Sequence, residues 1–423
     1  MKRITLIILL LFLHTAAWAQ QANLNLDKAR YGFEVASPTA RSLALGNSGL
    51  ANGGVLLAAS HNPALLARAD SGLVLQGGGD FLSLQEDRSF PYYDNFGGFV
   101  DYGSYYFQDN GYYNFSAQLV YSLKGLIKDM PLALSLGWMP FMDFNYNYFE
   151  EVRSTSFGDK LLAYNEFSGE GVLYALPFTV AAAFDNFSVG LSVALLNGDV
   201  TTVNRVIPKA LGLDSLARDA VLQRQALNTP FYINAGFSFR VDERLSVGGS
   251  FRSGFEYQTE NLLTSGDSSQ TLTQAVAYPA RVGMGFDYRF RNILQARLMV
   301  DFYYNFWSAL TDDLYKAPDY NDTYNIRVGV EHVFFNDFAF RVGYSFENMR
   351  ENRELTKTLL TAGLGYRWKN VDLNLGLGLT AMEFYQADLY DDAAYDSNVS
   401  TRTQNDLVKW NETYGKLDFV IHL

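Results

Sequence analysis

The sequence predicts an all-β fold: a transmembrane antiparallel β-barrel of about fourteen strands with an N-terminal hatch inside its lumen. Three observations point to it. Apolar side chains alternate with polar or small ones at period two through most of the chain, which gives strands with one greasy face and one wet or tightly packed face. Short and long connections alternate along the chain. After Gln20 no apolar run approaches the roughly twenty residues a spanning helix needs.

The first element is residues 1–19. Met1-Lys2-Arg3 is a charged start, Ile4 to Leu13 is a short apolar run, and Ala17-Trp18-Ala19 is an A-x-A cleavage site. Together they read as a secretory signal peptide removed before Gln20, since the apolar run is about half the length of a membrane anchor.

Residues 20–70 show little period-two alternation and are rich in Ala, Leu, Gly and Asn, as in Ala40 to Gly49 and Ala59 to Ala67. Small residues pack tightly in a confined space and Asn62-Pro63 fixes a turn, so this segment is expected to fill the lumen as a hatch. A barrel of ~14 strands is wider than its own side chains fill and needs such filling.

Residues 71–423 are expected to form the barrel itself. Val371, Leu373, Leu375, Leu377 and Leu379 alternate with Asp372, Asn374, Gly376, Gly378 and Thr380, and Val282 to Phe290 and Phe115 to Leu123 repeat the pattern. Strands are expected to start near Gly72, Tyr112, Leu132, Ala175, Asn186, Phe231, Leu245, Tyr278, Ile293, Thr323, Asp337, Lys357, Val371 and Thr413. Asp185, Val241 to Arg244, Arg291-Asn292, Phe335-Asn336 and Lys369-Asn370 are tight turns, whereas Asn145 to Tyr174, Asp199 to Pro230 and Gln386 to Glu412 are long. This rhythm matches the periplasmic and extracellular ends of a bacterial outer-membrane barrel, with outer-membrane lipids around it and the barrel assembly machinery as an expected partner.

The formal charge of -12 argues against nucleic acid as a partner, because phosphate binding needs a basic surface. With no cysteine there are no disulfides and no thiolate metal sites. The aromatic load, 28 Tyr, 32 Phe and 5 Trp, suits strands and interfacial girdles. An enzyme on this scaffold needs a base at the outer rim. His61, His332 and His422 are placed in the hatch or toward the periplasmic end, without metal-ligand spacing, so neither catalysis nor a cofactor is expected.

Asn62-Pro63-Ala64 at the end of the small-residue segment, together with hairpins such as Ile326-Arg327-Val328-Gly329 to Phe340-Arg341-Val342-Gly343-Tyr344, resembles the FadL/TodX family of outer-membrane transporters for long-chain fatty acids and hydrocarbons. The likeness spans nearly all of the mature chain. It departs at Gly46-Asn47-Ser48-Gly49, where family hatches often read GMGG, and at the C-terminal His422-Leu423, where many barrels end in an aromatic residue. The resemblance implies passive, diffusion-driven uptake of a hydrophobic ligand such as a fatty acid, without a cofactor, and lateral exit beside a kinked third strand. Burial of an alkyl tail is worth ~0.8 kcal/mol per CH₂, so an apolar path retains such cargo where a water-filled pore does not. In this sequence the third strand contains Gly137 and Pro140, and a proline in a central strand breaks local pairing. A simple bulge there is the alternative.

Arg252, Arg281, Arg297, Arg327 and Arg341 fall on the inward phase of their strands, as do Asp287, Asp301 and Glu331. Most are expected to form ion pairs that fix the lumen, with Arg252 and Arg327 as candidates to hold a carboxylate headgroup. A secretion or surface-attachment accessory barrel and a general porin are the alternative functions.

Overall fold

In the computed structural model, period-two alternation becomes strand pairing along most of the chain. The described residues are 23–35, 39–69, 72–94, 96–123, 132–154, 160–266, 268–291, 296–315, 317–335, 337–391, 394–395 and 405–423. The expected signal peptide, Gln20 and the turn residues Asn292 and Asn336 lie outside them.

One sheet has fifteen strands, and one of these is the short Phe33–Glu34 of the N-terminal segment, so fourteen form the barrel. Numbered in chain order, they are β1 (Gly72–Tyr93), β2 (Phe99–Ser122), β3 (Leu132–Asp143), β4 (Val172–Phe184), β5 (Phe187–Asn197), β6 (Phe231–Arg240) and β7 (Leu245–Arg252). The circuit continues through β8 (Arg281–Arg289), β9 (Arg297–Asn305), β10 (Thr323–Phe334), β11 (Phe338–Asn348), β12 (Thr356–Trp368), β13 (Val371–Gln386) and β14 (Asp406–His422). Each pairs antiparallel with its sequence neighbours, and β1 pairs with β14 from Val74↔His422 to Ser89↔Leu407, which closes the ring. Closure removes the free edges that the first and last strands of an open sheet would carry.

The greasy phase faces outward. Leu119, Phe178, Leu191, Phe286, Leu360 and Leu375 are all exposed, in a band that only a hydrocarbon surrounding satisfies. At the short-turn end Phe184, Phe187, Phe239, Phe290, Tyr366 and Trp368 are exposed in the manner of an interfacial girdle. At the other end the band stops above Tyr113, where outward Ser83 and Gln85 donate to Asp109 at 2.8 and 3.0 Å. None of the described helices is long and apolar enough to cross a membrane, so the strands are the crossing elements.

Six expected starts, Gly72, Leu132, Phe231, Leu245, Thr323 and Val371, coincide with observed ones. β2 and β14 begin earlier than the alternation at Tyr112 and Thr413 indicates, at Phe99 and Asp406. Their upper halves stand in solvent beyond the apolar band, where neither face must be greasy and the pattern fades.

Two of the expected long loops, Asn145 to Tyr174 and Asp199 to Pro230, each contain two strands, and the segments before β8 and β10 add three more. Tyr146–Arg153, Leu161–Glu170, Val200–Pro208, Arg218–Ala226, Phe255–Ser265, Ser268–Tyr278 and Thr311–Asp312 lie side by side in a separate seven-stranded sheet above the barrel.

The N-terminal segment runs beneath that sheet and then along the inner wall. Helix α1 (Leu24–Tyr31) starts on Asn23, whose side chain accepts from the Asn25 and Leu26 amides. Its C-terminal carbonyls are taken by side chains from elsewhere: Arg224 donates to Ala29 and Arg30 at 2.9 and 2.8 Å, and Tyr278 to Tyr31 at 3.0 Å. Helix α2 (Ala40–Ala44) lies against β11 to β14. The turn Pro63–Arg68 lies against β4, β5 and β6. At Gly343 of β11 the backbone of Gly46 comes so close that any side chain would collide with it. Gly236 of β6 leaves the same room for the Asn62 amide, which donates to Leu50 and Phe237 carbonyls at 2.9 and 2.8 Å.

Candidate functional site

The barrel wall is broken between β2 and β3. From Ser122↔Ala133 to Ala117↔Trp138 the two strands pair regularly, and above that, among the described residues, no strand pairs with the β3-facing edge of β2. β3 stays joined to β4, with a register shift at Pro140/Met142 that places a one-residue bulge at Phe141. Its abandoned edge is taken by the N-terminal segment: Glu34 pairs with Met142, Phe33 with Asp143, and the Val35 amide donates to the Phe141 carbonyl at 2.9 Å. The upper part of β3 thus leaves the wall and joins the segment inside. Gly137 and Pro140 flank the departure, with Pro140 opposite Tyr174 of β4.

The break is bounded above. Tyr106 of β2 stacks on Tyr148 with centroids 4.3 Å apart and donates to the Asn147 carbonyl at 3.3 Å. The remaining window spans residues 111 to 116 of β2, at the upper edge of the apolar band, where Tyr113 and Phe115 face outward. In front of it, Trp138 of β3 and Tyr174 of β4 stack at 4.9 Å, and the Tyr174 hydroxyl donates to Asn114 Oδ1 of β2 at 3.0 Å.

Behind the window lies a cavity of about 70 Å³ lined by Phe33, Val35, Leu43, Leu82, Asn114 and Asp143 among others. A second, about 150 Å³, is lined by Asn47, Arg281, Asn325, Arg327, Trp307, Arg350 and Lys357. Phe33, Glu34 and Val35 line both, together with Lys357 and Tyr414, so the strip that pairs with β3 lies between lumen and window. A third cavity of about 310 Å³ lies toward the short-turn end, between the N-terminal segment and residues such as Val74, Val333 and Val420.

The strip is held by charge. Glu34 is ion-paired to Arg252 of β7 and, at 2.9 Å, to Arg281 of β8. Lys28 of α1 is ion-paired to Asp143 at 2.6 Å. Arg350 donates to the Gly32 carbonyl at 3.1 Å and lies over the rings of Phe33, Trp307 and Tyr320. Beside it Asp27 of α1 is buried, and desolvation and then the nearby Glu351 push its carboxyl up to about 7 against the pull of Arg350 and Arg30.

Of the two headgroup candidates, Arg252 is engaged with Glu34 and does not line the larger lumen cavity, whereas Arg327 lines it. Arg327 donates to the Asn47 carbonyl at 3.1 Å and lies 4.3 Å over the Tyr303 ring. The other inward arginines follow the expected ionic pattern: Arg297 with Asp287 at 2.7 Å, Arg341 with Glu331 at 2.7 Å. Asp301 instead accepts the Gly49 and Leu50 amides at 2.8 and 3.0 Å. His61 sits between Ser60 and the Asn47 carbonyl, and His422 beside Asp372. Lys28, Phe33, Glu34, Asn114, Asp143 and Tyr174 carry no motif that marks them in the sequence.

These features define a transmembrane β-barrel with a break in its wall and a folded N-terminal segment against its inner face. The same fold is seen in a FadL homologue from Pseudomonas aeruginosa, 13% identical over 92% of this chain and 99% of that one, with a TM-score of 0.68. It is also seen in the toluene transporters TodX of P. putida (14% identity, 91% and 98% coverage, TM-score 0.60) and TbuX of Ralstonia pickettii (16%, 93% and 98%, 0.60). No protein-family model and no curated protein matches the chain. The fold is therefore that of the FadL and TodX barrels, in agreement with the resemblance drawn from Asn62-Pro63-Ala64 and the hairpins.

Proposed function

We propose that this chain is a passive outer-membrane conduit of the FadL/TodX kind, carrying long-chain fatty acids or similar hydrophobic compounds from outside and releasing them sideways through the β2/β3 window. The observation that carries the reading is the exchange of partners at β3, whose edge leaves β2 and pairs with Phe33–Glu34. A wall opening at the height of the apolar band lets an alkyl tail pass from protein to lipid without facing water. In this reading residues 20–70 act as the hatch, Asn62-Pro63-Ala64 seats its lower turn, and Gly137 and Pro140 shape the exit. Arg327 is the better placed of the two arginines to meet a carboxylate. The toluene transporters supply the precedent for a hydrophobic cargo on this fold.

The test is uptake of a fluorescent long-chain fatty acid and of radiolabelled toluene by cells that lack their own uptake barrel and express this chain. Concentration-dependent uptake that persists in de-energised cells is expected. A correctly inserted barrel that accelerates neither compound overturns the proposal.

A further inference from the structure

We propose that Tyr174 is the shutter of the window, held closed by its hydrogen bond to Asn114 and guided by its stack on Trp138. This inference rests on the lateral-exit reading and adds to it the group that limits passage.

Three strands meet in this contact. Trp138 lies on β3 at the last rung paired to β2, Tyr174 on β4 opposite Pro140, and Asn114 on β2 in the stretch that has no partner on its β3-facing edge. β4 and β2 are not neighbours in the ring, since β3 separates them. The phenol of Tyr174 therefore reaches past β3, and it does so where β3 has left the wall. Its hydroxyl donates to Asn114 Oδ1 at 3.0 Å, and its ring lies 4.9 Å from that of Trp138 with only 12° between planes.

The chemistry of the three groups suits a shutter better than a structural strut. Trp138 is on the outward, lipid-facing phase and is 40% exposed, whereas Asn114 is on the inward phase and buried, so Tyr174 runs from the lipid face to the lumen face. Asn114 also lines the cavity behind the window. A permanent strut would be a backbone ladder, and the ladder is what this stretch lacks. A single neutral hydrogen bond closes the gap reversibly, because one such bond shifts an open–closed balance only about fivefold. The parallel stack gives the freed ring an apolar surface to slide along and a fixed place to return to. On the inward face, a side chain at Gly137 would crowd Pro177 and Met139, so the lumen side of this stretch is already filled.

The experiment uses the whole chain. It has no cysteine, so Ser116→Cys, at the lower border of the window, introduces the sole thiol and reports access from the bilayer through a lipid-soluble maleimide. Tyr174→Phe keeps the ring and removes the hydroxyl; Asn114→Ala removes the acceptor from the other side. In the Ser116→Cys background both variants should label at position 116 roughly fivefold faster and take up fluorescent fatty acid faster by a similar factor, with heat-modifiable migration unchanged. Labelling that does not change in either variant overturns the shutter and leaves lateral exit standing. Faster labelling with unchanged uptake means that cargo leaves elsewhere, which overturns both.

Discussion

Lys28 Nζ lies 2.6 Å from Asp143 Oδ2, and the two side chains keep only 2% and 8% of their surface exposed. This pair joins α1 to the end of the strand that left the wall, so it fixes the Phe33–Glu34 strip against β3. Breaking a buried ion pair by removing one partner costs roughly 3–5 kcal/mol, because the other charge remains desolvated. Asp143→Ala should therefore abolish amide-exchange protection over Leu24 to Glu34 while the barrel strands stay protected. The double change Lys28→Met with Asp143→Leu should regain much of it. Full protection in the single variant would show that the pair does not hold the strip.

Proton binding acts on the same helix. The Asp27 carboxyl titrates near 7 in the folded state, against about 3.9 for an unperturbed aspartate, so the seated helix binds the proton more tightly than the free one. The proton-linked stabilisation of α1 is complete below about pH 4 and is lost as pH rises through 7. Protection factors of α1, corrected for intrinsic exchange, should fall between pH 5 and pH 8 and flatten in Asp27→Asn. A fall of equal size in the Asn variant would assign the dependence to another group.

Gly343 tests how the N-terminal segment is seated. A branched side chain there meets the Gly46 backbone, so Gly343→Val should prevent seating and cut the yield of heat-modifiable barrel sharply. At Gly415 an added Cβ finds its nearest neighbour, Leu377, 4.0 Å away, and Gly415→Val should be tolerated. Equal yields from the two variants would mean that the contact at Gly343 is not required.

If residues 20–70 fill the lumen, a chain lacking them should still insert and should conduct far more current per channel in planar bilayers. Unchanged conductance counts against the hatch assignment.

Pro140 lies next to the bulge where β3 turns inward. Replacing it with Val supplies a strand former with a backbone N–H, which favours a regular ladder and should narrow the exit. Fatty acid uptake should drop about fivefold at equal surface abundance, the shift expected for one recovered hydrogen bond. Equal uptake would reduce Pro140 to a bulge without a part in transport.

The barrel was legible because lipid outside and packed side chains inside impose opposite demands on successive residues. Leu373, Leu375 and Leu377 against Asn374, Gly376 and Gly378 show this directly. Where that contrast ends, so does legibility. The inner face of the upper sheet buries Glu150, Asn165, Thr202 and Arg224 through hydrogen bonds, so those strands looked like polar loops. Inward phase was readable for Arg252, but its partner Glu34 stands 218 positions away in a segment without periodicity. The Tyr174–Asn114 contact joins strands that are not neighbours, and no local pattern encodes it.

The closing seam between β1 and β14 sets an order of events in time. Val74 must wait for His422, so the ring cannot shut until the last-made strand has arrived. Ala40 to Arg68 touches strands from β2 to β14, so its seat is complete only once the ring is. Such long-range closure is intrinsically slow. A chain whose ring shuts with that segment outside must either thread it into the lumen afterwards or reopen the seam.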